Sequence, residues 1–187
     1  MATWTVDVES DFGGRENSII GIEYGIPRIL EEFKRQDIKA IFFLSTKKLI
    51  HYLPIARQIL GAGHTVGSHG HEHVNWKKRH WIDWWSDYKS SKMMIKEYLD
   101  VDIDFSLYRA PWFSHSNDHV FDDPRNHVSV LKYAWFGGSI PTYPIFYIHP
   151  FDIVEAPKKA PNLFCKLLYS NPRRVRETFH ELLQRFS

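Results

Sequence analysis

The stretch Ile38-Lys-Ala-Ile-Phe-Phe-Leu-Ser45 is an apolar run of strand length between two helical patterns. Before it, apolar side chains recur at helical spacing over 26–33, and after it they do so over 55–60, just before the stop signal Gly61-Ala-Gly63. Parallel strands need a crossover connection, usually a helix, between them, so a buried run flanked by helices is typical of a parallel sheet. This stretch therefore predicts an α/β fold.

The same alternation continues in both directions along the chain. Further strands are predicted at about 3–8, 64–68, 105–109 and 144–149, with a weaker one near 132–137. Helical patterns occupy 78–99 and the segment after Asn171, which is placed to cap a helix. The carboxyl ends of parallel strands meet at one edge of the sheet, where we expect the functional residues.

Composition limits the class of protein. The chain has 187 residues, 43% hydrophobic and 25% charged, so one domain over 1–187 is expected and disorder is excluded as its main state. The net charge is 24 − 22 = +2, so no nucleic-acid partner is expected. No apolar run approaches the roughly 20 residues of a membrane span. The single Cys165 and the lack of a secretion-signal pattern predict a cytoplasmic location.

Two carboxylates lie at the carboxyl end of the first predicted strand. In Thr5-Val-Asp7-Val-Glu9, the side chains of Asp7 and Glu9 are two positions apart, so on a strand both point to one face while Val8 points to the other. Neighbouring carboxylates repel each other unless a cation lies between them or an arginine holds one of them. The alternative is an ordinary acidic loop.

A histidine cluster follows the third predicted strand. Four of the 11 histidines lie within the ten residues 64–73. His69 and His73 are four positions apart, which suits two metal ligands on one helical turn or one compact loop. His71 is expected to be exposed or to support the ligands, and His64 to be structural. The alternative is a histidine-rich surface that binds no metal.

Two imidazoles and one carboxylate form a metal shell that leaves a coordination position open for water, as hydrolytic sites do. The sequence therefore predicts a divalent metal cofactor. Zn²⁺ is the first choice for such ligands, with Co²⁺, Ni²⁺ or Mn²⁺ as alternatives. The single cysteine excludes a cysteine-rich structural zinc site.

Two further predicted strands also end in chemically active side chains. In Tyr108-Arg109-Ala-Pro-Trp-Phe113, Arg109 is suited to hold a carboxylate by two parallel hydrogen bonds and keep it ionised. In Tyr147-Ile-His149-Pro150, His149 follows a strongly apolar strand. The alternatives are an arginine on a surface rim and a structural histidine.

These four segments, in this order, resemble the motifs of the polysaccharide deacetylase family, the carbohydrate esterases that share the NodB homology domain. The resemblance implies a distorted (β/α)7-type barrel, related to the closed parallel barrels. It implies that Asp7 is the general base, tethered by Arg109, and that His149 is the general acid. It further implies that His69 and His73 bind a divalent metal together with a carboxylate near Asp7.

The chain departs from the usual family pattern in two ways. Val8 stands where the family commonly has a second aspartate, so the metal carboxylate is either Glu9 or Asp11. We expect Glu9, because its spacing places it beside Asp7. In addition, only 149 − 109 = 40 positions separate the arginine from the acid histidine. A shortened barrel is therefore expected, without the acidic-tryptophan segment that supports the acid histidine in the family.

The function implied by the resemblance is hydrolysis of an N-acyl group, acetyl or formyl, from an amino sugar in a polysaccharide, an oligosaccharide or a lipid-linked glycan. Two alternatives remain open. One is a carbohydrate-binding relative that needs the metal but has no turnover, and the other is a hydrolase of small amides.

Aromatic and basic residues extend this expectation to the substrate. The side chains expected to offer flat faces to a sugar are Trp76, Trp112, Phe113 and Trp135. Trp81 and Trp85 are expected in the core instead. Basic residues in 155–176 would meet the phosphates of a lipid carrier, or else form a solvated face. A shortened barrel exposes sheet edges, so a homodimer is expected to cover them.

Overall fold

Five parallel strands form one sheet in the computed structural model, which describes residues 2–11, 18–114, 126–155 and 163–187. The strands are β1 (Thr3–Val8), β2 (Ile41–Leu44), β3 (Thr65–Ser68), β4 (His127–Ser129) and β5 (Ile145–Ile148). Their order across the sheet is β3-β2-β1-β5-β4, and every neighbouring pair is parallel. The predicted α/β class is confirmed.

Helices connect the strands. Those within the described ranges are α1 (Ile20–Arg35), α2 (Leu53–Gly61), α3 (Trp81–Leu99), α4 (Val130–Phe136), α5 (Leu163–Leu168) and α6 (Pro172–Phe186). Helix α6 begins as predicted, because the Asn171 side chain accepts a hydrogen bond from the Arg174 N–H and Pro172 takes the first helical position. None of these helices combines the length and the apolar character that crossing a membrane requires.

Strand β1 shows how alternation divides the sheet into two sides. Val6 and Val8 are fully buried in the main apolar core, which also includes Ile26 of α1. Asp7 and Glu9 point to the opposite side, as the period of two requires. The first strand therefore supports the core with one face and carries two carboxylates on the other.

Helix α1 approaches the Pro150–Ile153 turn closely through two glycines. A Cβ atom at either Gly21 or Gly25 would overlap atoms of this turn. Without side chains at these two positions, the helix lies directly on the backbone that follows β5. This contact fixes the turn and, with it, the neighbouring His149.

One predicted strand, 105–109, is mostly a 3-10 turn. The Asp104 side chain accepts a hydrogen bond from the Ser106 N–H, which turns the chain before a strand can form. This segment joins the sheet through a single parallel bridge between Tyr108 and Ser68 at the end of β3, with a hydrogen bond from the Arg109 N–H to the Ser68 carbonyl oxygen.

The weak strand predicted near 132–137 is wrong. Its residues up to Phe136 belong to α4, whose Lys132 N–H donates to the Ser129 side chain. Leu131 and Ala134 are buried on one face of this helix. The strand of this region, β4, lies a few residues earlier in the chain.

The sheet is an incomplete barrel. Tyr108 extends it beyond β3, and β4 forms the opposite edge. In the ranges that the structure describes, no further strand joins these two edges. The architecture agrees with the predicted shortened (β/α)7-type barrel.

The buried face of α3 differs from the predicted one. Trp81 and Trp85, expected in the core, are 48% and 37% exposed, whereas Trp84 and Tyr88 are buried. The prediction failed because the buried face also carries a polar residue, Asp87, whose carboxylate binds backbone N–H groups. An apolar pattern cannot reveal such a face.

Candidate metal and catalytic centre

One edge of the sheet brings the predicted site residues together. Asp7 belongs to β1 and Glu9 directly follows it, while the histidines and the arginine follow the ends of β3, the Tyr108 bridge and β5. The side chains that meet there are Asp7, Glu9, His69, His73, Arg109 and His149.

Glu9, His69 and His73 form the candidate metal site. One ligand atom from each of them lies within 4.8 Å of the other two. Glu9 Oε2 is 3.1 Å from His69 Nε2 and also contacts His73 Nε2. Burial works to raise the pKa of Glu9, but His73, His69 and His149 hold it well below its usual range. Glu9 is therefore an ionised carboxylate facing two imidazoles.

A backbone carbonyl orients the imidazole ring of His69. The Nδ1 atom of His69 lies 2.9 Å from the Arg109 carbonyl oxygen, which can only accept a hydrogen bond. Nδ1 therefore donates to this oxygen, and the contact directs Nε2 towards Glu9 Oε2. The Arg109 N–H in turn donates to the Ser68 carbonyl oxygen at 2.9 Å, which ties this contact to the end of β3. Such bonds orient metal-binding imidazoles.

Asp87 of α3 holds the loop that carries His73. Its two carboxylate oxygens accept hydrogen bonds from the N–H groups of His71 at 2.8 Å and Glu72 at 2.7 Å. Gly70 has φ +81°, and a Cβ atom there would lie 2.7 Å from Asp87 Oδ2. The sequence reasoning missed Asp87, because its only signal is a polar residue within an aromatic helix.

Left-handed backbone conformations surround the site. His73, Trp112 and Phe113 have φ values of 54°, 54° and 50°. Such conformations cost about 1–3 kcal/mol each in a non-glycine residue and persist where the surroundings impose them. The Trp112 ring lies edge-to-face against the His73 ring, with centroids 4.6 Å apart. The turn after Arg109 therefore packs directly on the candidate metal site.

Asp7 and Arg109 form a buried ion pair beside the metal site. Arg109 Nη1 lies 2.7 Å from Asp7 Oδ1 and 2.8 Å from Thr5 Oγ1. Burial works to raise the pKa of Asp7, but the Arg109 guanidinium, with His69 and His149, holds it below its usual range. Asp7 is thus an ionised carboxylate.

His149 faces both carboxylates from the end of β5. Its Nε2 atom lies 3.6 Å from Glu9 Oε1 and 4.0 Å from Asp7 Oδ2. On its other side, Asp152 Oδ2 accepts a hydrogen bond from the His149 N–H at 2.8 Å and lies 3.2 Å from its Nδ1. Burial works to lower the pKa of His149, but Asp152, then Glu9 and Asp7, raise it to about 10. His149 is therefore a proton donor at neutral pH.

Asp152 gives His149 a carboxylate partner from within its own turn. The sequence reasoning expected the supporting acidic segment to be absent and assigned no role to Asp152. A signal was available, because an acidic residue three positions after His149 suits a capping box at the start of a turn. The short connection before β5 therefore does not leave the acid histidine without support.

Asp11, the alternative metal carboxylate, lies outside the cluster. Its Oδ1 atom accepts a hydrogen bond from the Gly21 N–H at 2.9 Å, at the start of α1. Burial raises the pKa of Asp11, although hydrogen bonds from Ser18, Gly21 and Ile20 oppose the rise. Of the two carboxylates considered, Glu9 is the one that meets the histidines.

The aromatic residues expected to meet a sugar lie in different surroundings. Trp112 is 44% exposed beside the metal site. Trp76 is buried, and Trp135 packs against the main core, so the prediction is wrong for both. Phe113 is partly buried and lies beneath the Arg109 guanidinium. Trp112 is therefore the candidate platform among these four.

The basic segment is only partly described. Lys158 and Lys159 lie outside the described residues. Arg174 and Arg176 of α6 donate to backbone carbonyl oxygens of α4 and of the turn after β5, respectively. These two arginines therefore attach α6 to the rest of the fold. A role in binding phosphate stays a prediction.

A sequence profile of the polysaccharide deacetylase family matches residues 20–126, more than half of the chain. The chain belongs to this family. The matched part of this polysaccharide deacetylase family member includes His69, His73 and Arg109, while Asp7 and His149 lie outside it.

The donor set of this family member fits a divalent cation. The Nε2 atoms of His69 and His73 converge on the ionised carboxylate of Glu9, and the three ligand atoms lie within 4.8 Å of one another. Nitrogen and carboxylate ligands of this kind suit Zn²⁺ and related metals.

One curated relative is the peptidoglycan deacetylase of Helicobacter pylori. It is 38% identical over 87 residues, which cover 40% of this chain and 30% of that protein. The family member described here thus matches less than a third of the relative's length.

Solved structures show the same fold. A CE4 family pseudoenzyme from Bacillus anthracis superposes with a TM-score of 0.66 at 20% identity, covering 100% of this chain and 61% of that one. A family 4 acetyl xylan esterase from Clostridium thermocellum, in complex with a cobalt ion, gives 0.62 at 14% identity, covering 99% and 84%.

Proposed function

We propose that this chain is a metal-dependent hydrolase that removes an N-acyl group, acetyl or formyl, from an amino sugar of a polysaccharide or oligosaccharide. The observation that carries the proposal is the buried Asp7–Arg109 pair, which lies beside the candidate metal site and faces His149. An ionised base, a set of metal ligands and a proton donor meet there. Hydrolysis of an unreactive amide uses all three.

Glu9, His69 and His73 are the residues that would hold the cation. A divalent cation supplies Lewis-acid activation of water and of the acyl oxygen when it is bound. We assign Zn²⁺ first, because two imidazoles and one carboxylate are a common zinc set, with Co²⁺, Ni²⁺ or Mn²⁺ as alternatives.

Asp7 acts as the general base. Arg109 keeps its carboxylate ionised and aimed, so that it takes the proton from the attacking water. His149 acts as the general acid and donates its proton to the nitrogen of the departing amine. Asp152 orients this imidazole and stabilises its charged form before the transfer.

Trp112 supports a sugar as the substrate. Its exposed ring offers a flat apolar face beside His73, on which the CH groups of a pyranose can pack. The Helicobacter relative is named a peptidoglycan deacetylase, which also favours a glycan. A lipid-linked glycan, a homodimer and a cytoplasmic location stay predictions from the sequence.

The test is acetate release from the pentamer of N-acetylglucosamine by the zinc-loaded chain. We expect Asp7→Asn to lower kcat by about 100-fold or more, while its zinc content stays at the wild-type value because Asp7 is outside the ligand cluster. Unchanged turnover in Asp7→Asn would contradict the assigned mechanism. A wild-type chain that binds the pentamer but releases no acetate, and no formate from N-formyl sugars, would favour a binding protein.

A further inference from the structure

The guanidinium of Arg109 has a third polar contact besides those with Asp7 and Thr5. Its Nη1 atom donates to Asp7 and Thr5, while its Nη2 atom lies 3.2 Å from Nε2 of His127. Arg109 is only 2% exposed. Through its two Nη atoms, the planar guanidinium therefore joins the carboxylate of Asp7 to a histidine on β4.

Hydrogen-bond chemistry fixes the state of His127 in this contact. A guanidinium carries only donors, so His127 Nε2 must accept and present a lone pair. The imidazole is then neutral, with its proton on Nδ1. A protonated His127 would place a second positive charge against Arg109 and break the bond.

Aromatic rings hold His127 in place. The Phe113 ring lies 4.7 Å from the imidazole and the Tyr147 ring 6.3 Å from it, measured between centroids. The Arg109 guanidinium lies 4.4 Å from the centroid of the Phe43 ring and 5.5 Å from that of the Phe113 ring. The guanidinium is thus restrained by two aromatic rings and by the contacts of both Nη atoms.

The contact also spans the opening of the sheet. Arg109 follows Tyr108, which extends the edge beyond β3, and His127 begins β4 at the other edge. A side-chain bond here links two edges that, within the described ranges, share no backbone pairing. Without this bond, the guanidinium of Arg109 could shift within its own plane, and the Asp7 carboxylate bonded to Nη1 would lose its fixed orientation.

We propose that His127 is a positioning residue for the hydrolysis: by accepting a hydrogen bond from Arg109 Nη2, it keeps Nη1 on Asp7. The inference rests on the proposed function, since the positioned group is its general base. Small displacements of a reacting group cost about 10- to 100-fold in rate, so the loss falls mainly on kcat and leaves KM nearly unchanged.

Two substitutions at the same position separate positioning from packing. His127→Phe keeps a flat ring against Phe113 and Tyr147 but has no acceptor, and we expect kcat to fall by about 10- to 100-fold on the N-acetylglucosamine pentamer. His127→Gln supplies a carbonyl oxygen as acceptor, and we expect it to recover most of kcat. Lys132→Ala is the matched control, because Lys132 and His127 line one surface cavity and Lys132 is not among the hydrogen-bond partners of Arg109 described above.

Zinc content and melting temperature are measured on every variant. Wild-type kcat in His127→Phe would overturn the proposal. Equal losses of kcat and of melting temperature in His127→Phe and His127→Gln would also overturn it, because they indicate a packing role alone.

A second measurement does not depend on turnover. Nitrogen-15 spectra of the zinc-loaded wild-type chain at neutral pH report which imidazole nitrogen of His127 is protonated. We expect a proton on Nδ1 and a lone pair on Nε2, and a proton on Nε2 would overturn the inference. A wild-type chain that shows no turnover would contradict the proposed function. The spectra test independently whether His127 accepts a hydrogen bond from Arg109.

Discussion

His64 and His69 lie at opposite ends of β3 and show how surroundings decide the use of one residue type. Both are buried. The His64 ring packs near Phe33 and Phe42, and its Nδ1 accepts a hydrogen bond from the Ala40 N–H at 3.2 Å. Burial, with a smaller effect from a nearby lysine, lowers the pKa of His64 to about 4.

His69, five residues later, lies among charged groups. Its Nδ1 is bonded to a carbonyl oxygen, and its Nε2 faces the Glu9 carboxylate. The amino end of β3 thus holds a neutral imidazole in an apolar setting, whereas the carboxyl end holds one ready to bind a cation. Both residues are histidines, so it is their position at the amino or the carboxyl end of β3 that separates the structural histidine from the candidate ligand.

The largest expected effect is on metal binding. His69→Gln should lower zinc affinity by more than about 100-fold, because it removes a ligand, whereas loss of a mere supporting group costs 10- to 100-fold. His64→Gln is the matched control at the other end of the strand, and its zinc affinity should equal that of the wild type. Competition with a chromophoric chelator measures both. Equal losses of zinc affinity in the two variants would contradict the different roles given to the two ends of β3.

A smaller loss is expected when the ligand loop is released. Asp87→Asn replaces one of the two carboxylate oxygens that bind the N–H groups of His71 and Glu72. Zinc affinity should fall by about 10- to 100-fold, since supporting groups orient metal ligands. Asp83→Asn, on the exposed first turn of the same helix, should have no effect. Wild-type affinity in Asp87→Asn would show that the loop holds its shape unaided.

The backbone at the carboxyl end of β3 can be tested without changing a polar side chain. Gly70→Ala places a Cβ atom at φ +81°, 2.7 Å from Asp87 Oδ2, so it should reduce the free energy of unfolding by about 1–3 kcal/mol. Gly61→Ala, where a Cβ meets nothing within 4 Å, should leave stability equal or slightly higher. Urea denaturation compares them, and similar values would contradict the role given to Gly70.

The smallest effect concerns pH and the amino end of the strand. The pKa of His64 falls from 6.5 to about 4 on folding, so the unfolded chain binds more protons between these values and stability decreases as pH is lowered through them. The ring lines a cavity of about 500 Å³. A cavity of this size lets solvent screen part of the charge, so we expect a loss of about 1 kcal/mol.

His64→Gln serves as the reference for this pH effect. Urea denaturation at pH 7 and pH 5 should give a smaller decrease in the variant than in the wild type. The same decrease in both proteins would show that other groups account for the pH dependence.

Sequence reasoning identified the residues whose position follows from strand geometry. Asp7 and Glu9 share a face because they are two positions apart, and His69 and His149 follow strands whose ends meet at one edge. These relations depend on local spacing and on parallel topology, which an apolar pattern predicts well.

Residues that act through long-range contacts were missed. Asp87 lies on the buried face of an aromatic helix and binds a loop after β3, and His127 meets Arg109 across the opening of the sheet. Neither contact follows from periodicity. The strand at 105–109 failed for a related reason, since the Asp104 side chain competes locally with strand pairing.

The two glycines of α1 have an evolutionary consequence. Gly21 and Gly25 are remote from the chemistry in sequence, yet a side chain at either would displace the turn that follows His149. Random substitution should therefore be tolerated at these positions as poorly as in the catalytic segment itself. In proteins with this shortened barrel, the sequence of the first helix should therefore vary little at these two positions.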